Sequence, residues 1–308
     1  MSRSDLDPAS PPLASFRFTR VVAIQWVVGS AVGFFAFAYC FGHVYAWIRG
    51  VSLEPIVIAA SSPPTTFGWL AVLLGLLVCV IVPHELLHGA VMAYYGGSPS
   101  YGVGVSHFVV PYAYAETDGR RYTRNQLLVA LLAPFVGLTA LGFAIMVIVP
   151  SPLLVVPLAA NAAGSIGDLW MAAILCQYPA DVRVGGLLDD GDRGFGIYGS
   201  RDRPTTRIPG TVLLSRFVTG SVGTLALIAT YALVAILLSL AFGSGDVVLG
   251  DPDAGWLFFR HDRRADGSAL LEIGDGPLLA AAALGGLAWT SVTIVRRRFE
   301  GEHDGMRK

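Results

Sequence analysis

The chain has 308 residues, 54% of them hydrophobic and only 14% charged, with a formal net charge of −1. Soluble domains carry roughly 25% charged residues, so this composition argues against a soluble enzyme and for an integral membrane protein. A near-neutral balance also gives no basic surface for nucleic acid. Cys40, Cys79 and Cys176 fall in apolar segments without metal-type spacing, and are read as small core residues rather than a disulfide framework.

Apolar runs of roughly 20 residues mark transmembrane helices. The first covers 21–43, behind Arg17 and Arg20. Ala36-Phe37-Ala38 resembles a signal-peptidase site, but the apolar core is longer than a signal peptide's, so a retained anchor is favoured. The second run, 67–95, contains Pro83-His84-Glu85-Leu86-Leu87-His88. Pro83 there removes a backbone hydrogen bond and favours a kink. Residues 96–125 are rich in Gly and Tyr, and their short apolar stretch 103–111 suits a re-entrant or interfacial hairpin. Runs at 126–149 and 153–177 follow, joined by the tight Pro150-Ser151-Pro152 hairpin. A polar, Gly-rich segment, 179–209, leads to the runs 212–242 and 277–295. Between those two, 243–276 alternates locally and predicts a small β-hairpin.

The expected fold is therefore all-α and polytopic, with about six transmembrane helices. The positive-inside rule orients it. With the N-terminus inside, cytoplasmic segments hold sixteen of the basic residues and the opposite side holds four: Arg49, Arg260, Arg263 and Arg264. Both termini are thus expected in the cytoplasm of a cell-membrane protein. The expected organisation is a cytoplasmic segment over 1–20, a core of four spans plus a cytoplasmic loop over 21–198, and a two-span region with a small external loop over 199–308.

The pattern H-E-x-x-H on a helix puts two imidazoles on one face, one turn apart, where they can share a zinc ion. Ionisable groups inside a bilayer cost on the order of a few kcal/mol each, so three within one span call for a functional reason. Catalytic zinc usually takes three protein ligands and leaves one position open. Apart from Glu85, Asp168 is the acid found in the core of a span. His84 and Asp168 lie about twelve and about nine residues from the cytoplasmic ends of their spans, which at about 1.5 Å per residue is one common depth. The metal site is therefore expected between the second and fourth spans, with Zn2+ on His84, His88 and Asp168. Glu85 is the expected general base, taking a proton from water and returning it to the leaving amine. Asn161 and Ser165, two turns and one turn before Asp168, are candidates to hydrogen-bond the ligands or hold a substrate backbone; plain contacts between helices are the other reading. His107 is an alternative ligand from the hairpin region or an interfacial histidine.

These residues carry a resemblance. His84-Glu85-Leu86-Leu87-His88-Gly89, then Ala133-Pro134, then Asn161 through Gly167-Asp168, then Tyr178-Pro179-Ala180-Asp181, is similar to the membrane family described as "putative zincin peptidase", a domain of unknown function. That family is related in turn to the site-2 protease group of intramembrane zinc metalloproteases. The resemblance runs over about 67–198 and implies zinc on His84, His88 and Asp168 with Glu85 catalytic. The site-2 group carries Asn-Pro and Leu-Asp-Gly around its third ligand. Here Gly167-Asp168-Leu169 stands instead, with no proline between Asn161 and Asp168.

The expected function is a membrane-embedded zinc metalloprotease that cuts membrane proteins or peptides near the cytoplasmic face, with the lipid bilayer and its substrate as partners. The alternatives are a non-proteolytic metal-binding membrane protein and a divalent-ion transporter. The transporter predicts paired repeats, and no second motif of this kind occurs in the sequence. Retention of Glu85 speaks against the binder, because binding needs only the histidines.

Overall fold

The apolar runs of the sequence are the helices of the computed structural model, which describes residues 12–53, 56–58, 63–105, 111–117, 120–186, 194–199, 207–242, 246–263 and 269–305. The helices are α1 (Arg20–Arg49), α2 (Pro63–Tyr94), α3 (Arg124–Ile148), α4 (Val155–Gly164), α5 (Ile166–Leu175), α6 (Pro209–Phe242) and α7 (Asp275–Gly305). Five of them are long and apolar enough to cross a membrane, and α4 with α5, bent by 42° at their junction, together pass the same test as a broken span or a re-entrant loop. Their outward faces are apolar, as a lipid solvent requires: Leu74, Val78 and Val82 of α2 are exposed.

Pro83 lies inside α2, which is continuous from Pro63 to Tyr94, and the helix break falls between α4 and α5. One expectation about the helices is corrected. The three cysteines are exposed on their helices rather than packed in a core.

The fold is mostly helical, but not all-α. Antiparallel strands occupy several connections: β1 (Ala14–Arg17), β2 (Ile56–Ile58), β3 (Pro99–Val105), β4 (Pro111–Thr117), β5 (Tyr122–Thr123), β6 (Arg183–Gly186), β7 (Gly194–Tyr198), β8 (Val247–Asp251), β9 (Trp256–Arg263) and β10 (Ala269–Ile273). They form sheets in the orders β1-β7-β6-β5, β2-β10-β9-β8 and β3-β4. The hairpin expected within 243–276 is present as β9 and β10, extended on either side by β8 and β2. Where a re-entrant or interfacial hairpin was expected over 103–111, β3 and β4 pair antiparallel, and residues 106–110, with His107, lie outside the described residues.

The chain divides into two compact units, Met1–Val51 with Val72–Thr211 and Ser52–Ala71 with Val212–Lys308. In the first, Phe41 of α1, Met146 of α3 and Leu158, Ala159 and Ala162 of α4 make one core cluster. A second cluster joins Leu131 of α3 and Leu175 of α5 to Val184 and Ile197 of the β1-β7-β6-β5 sheet. α3 therefore packs against both halves of the broken span. Its start is fixed by a capping box, with the Thr123 hydroxyl accepting from the Gln126 amide and the Gln126 side chain accepting from the Thr123 amide. In the second unit, α6 and α7 approach backbone to backbone. A Cβ built on Gly220 would lie 2.6 Å from the Gly285 carbonyl oxygen and 3.0 Å from the Gly286 Cα. Small residues permit such close contact in lipid, where packing rather than hydrophobicity joins helices.

Candidate metal centre

One turn of α2 separates His84 from His88, so both rings leave the same face, with centroids 5.0 Å apart. Both histidines are buried. Asp168, in the first turn of α5, comes between them: its Oδ2 lies 3.4 Å from His84 Nε2 and 3.3 Å from His88 Nε2. One ligand atom from each of the three lies within 4.8 Å of the others, a grouping that can hold a metal ion. Ligands about 2.0–2.1 Å from a tetrahedral zinc stand roughly 3.3–3.4 Å from one another, so the two carboxylate separations suit that ion.

The opposite nitrogen of each ring is already engaged, and here local sequence explains the geometry. Proline has no backbone N–H, so Pro134 within α3 leaves the carbonyl four residues back, on Ala130, without its usual helical donor. His88 Nδ1–H donates to that Ala130 carbonyl at 2.8 Å. His84 Nδ1–H donates to Asn161 Oδ1 at 3.0 Å. The Asn161 amide nitrogen in turn donates to the Pro134 carbonyl at 3.2 Å, which fixes which end of the amide meets the histidine. Both imidazoles are thereby held in the tautomer that leaves Nε2 as a lone-pair donor, the form a metal ligand needs. The donor set fits zinc: two neutral imidazoles and one carboxylate.

Of the remaining sequence candidates, Glu85 is half-buried on the same turn of α2 as the histidines. Ser165 is fully buried, and its hydroxyl donates to the Asn161 carbonyl one turn back at 2.9 Å. The Ala130 carbonyl escaped the sequence reading, although Pro134 four residues later was its signal. Gly89 escaped it too. It is buried, and a Cβ there would collide with the Tyr101 ring of β3, so the glycine lets the β3–β4 hairpin close onto the helix directly after His88.

Residues 77–183 match the family model described as "Putative zincin peptidase", a stretch that contains His84, Glu85, His88, Asn161 and Asp168 and leaves α1, α6 and α7 outside. No curated protein and no solved structure matches the chain.

Proposed function

From this zincin-type match and the cluster it encloses, we propose that the chain is a membrane-embedded zinc metalloprotease. His84, His88 and Asp168 are its ligands, and Glu85 is its general base. One observation carries the reading: two imidazoles, each tied at Nδ1, turn Nε2 toward one oxygen of Asp168 at 3.4 and 3.3 Å. A zinc ion held there supplies a Lewis acid that lowers the pKa of water and polarises a scissile carbonyl. Glu85 takes the proton of the attacking water and delivers it to the leaving amine. The helical frame of α2 keeps this carboxylate one residue from His84 while directing it to an adjacent face.

The substrate is a membrane protein or peptide cut in extended form, because a helix keeps its carbonyls in its own hydrogen bonds. The arginine asymmetry of the sequence orients both termini to the cytoplasm and sets the site in the cytoplasmic half of the bilayer. The deciding experiment compares wild type with Glu85→Gln for bound zinc and for cleavage of a library of membrane substrates. The expected outcome is equal zinc and a loss of cleavage of roughly 10²–10⁴-fold. Zinc-free wild-type protein, or cleavage indifferent to Glu85→Gln, would overturn the proposal.

A further inference from the structure

The third ligand candidate does not sit on a continuous helix. α4 ends at Gly164 and α5 begins at Ile166, with Ser165 between them at φ −76° and ψ 0°. The hydrogen-bond ladder crosses the break through the Ser165 amide to the Asn161 carbonyl at 3.0 Å and the Leu169 amide to the Ser165 carbonyl at 2.8 Å. Asp168 stands in the first turn after the break, so the direction of α5 decides where its carboxylate goes. A broken helix in hydrocarbon needs outside partners for its freed backbone groups and outside contacts to hold its angle.

α1 supplies both. The Ser30 hydroxyl donates to the carbonyl of Ala163, in the last turn of α4, at 2.8 Å. On the far side of the break, Ile166 lies over the bare backbone of Gly29 and Gly33: a Cβ on either would meet its side chain at 3.2 and 3.4 Å. One turn before Ser30, Trp26 covers Gly167, where a Cβ would stand 3.0 Å from the indole. The indole also packs against two rings, with Phe16 of β1 stacked at 6.1 Å and 13° and Phe18 tilted at 5.2 Å. Ser30, Trp26 and the two glycines thus grip residues 163, 166 and 167, immediately before Asp168.

We propose that α1, which lies outside the zincin-type stretch, is the clamp that sets the angle of the broken span and so aims Asp168 at the two histidines. Ser30 and Trp26 are positioning residues, acting through the α4–α5 break. This rests on the reading of His84, His88 and Asp168 as metal ligands, and its test separates the two claims. Full-length wild type, Ser30→Ala, Ser30→Thr, Trp26→Ala and Asp168→Ala are purified in detergent. Each is measured for zinc affinity by chelator competition and, after loading with Co2+, for the ligand-field absorption that reports coordination geometry.

The expected result is a zinc affinity about tenfold weaker in Ser30→Ala and Trp26→Ala, the scale of lost support behind a metal ligand. Altered cobalt bands accompany it, and both recover in Ser30→Thr, which restores the hydroxyl. General loosening of the bundle would lower the folded fraction and leave the cobalt bands of that fraction unchanged. Wild-type affinity and bands in both Ser30→Ala and Trp26→Ala, with metal lost in Asp168→Ala, would refute the clamp and leave the metal centre standing. Wild-type protein that takes up neither Zn2+ nor Co2+ would remove the metal centre and the clamp together.

Discussion

At the scale of single residues, the site depends on groups that never touch the metal position. Asn161 is one: its buried amide bridges His84 and the Pro134 carbonyl. Asn161→Ala leaves the Nδ1–H of a buried histidine unpaired and its ring free to turn, and zinc affinity is expected to fall about 10–100-fold; chelator competition checks it. Pro134→Ala is the subtler test. It supplies a backbone N–H that competes for the Ala130 carbonyl, so zinc affinity should fall even though helix propensity improves. Unchanged affinity would mean that His88 needs no such partner. The grouping of His84, His88 and Asp168 was legible in the sequence because the i, i+4 spacing of the histidines is a property of a helix and Asp168 was counted at a similar distance along its own apolar run. Asn161 was legible as a same-face neighbour of Asp168, but the end of its amide that meets His84 was not. The Ala130 carbonyl was illegible for a different reason: a backbone acceptor has no residue type, and only the packing of α3 beside α2 makes it a partner. Ser165 was read either as a pocket group or as a plain contact between helices, and its hydroxyl donates to the Asn161 carbonyl beside the helix break.

At the scale of elements, hydropathy located the long helices because a 20-residue apolar run has few other fates. The strands were largely hidden. β1 pairs with β7, and β2 with β10, across most of the chain, and such short segments acquire strand structure only when a distant partner arrives. The β9–β10 hairpin was visible because its alternation and turn are local. The α4–α5 break was hidden as well, since no proline marks it and Gly164 and Ser165 are tolerated inside membrane helices. The contact of α6 with α7 yields a stability prediction. Gly220→Val would push a branched side chain into the Gly285 carbonyl and Trp289, at a cost of about 1–3 kcal/mol. Thermal unfolding in detergent should register a lower midpoint, and an unchanged midpoint would show that the two helices part without penalty.

At the scale of the whole molecule, charge outside the spans decides which way the protein faces. The Arg296-Arg297-Arg298 run follows the last predicted span, and Arg17 and Arg20 precede the first. Reporter domains fused to either terminus are therefore expected to be active only in the cytoplasm, and a labelling reagent confined to the outside should reach neither. Exposure of one terminus alone would change the number of spans from even to odd, and the α4–α5 pair would be the first suspect for a re-entrant segment rather than a crossing.

Hydrolysis consumes one water per bond, and hydrocarbon holds almost none, so a protease set within a bilayer has a supply problem before it has a chemical one. Irregular backbone at that depth is tolerated where protein buries it or where it lines a wet cavity. The break at Ser165 meets the first of these conditions next to one carboxylate. Protein covers its carbonyls, while the Asp168 side chain keeps 13% of its surface open and that of His84 keeps 9%. If the cluster hydrolyses peptides within a bilayer, delivery of water to this carboxylate has to be solved before bond breaking.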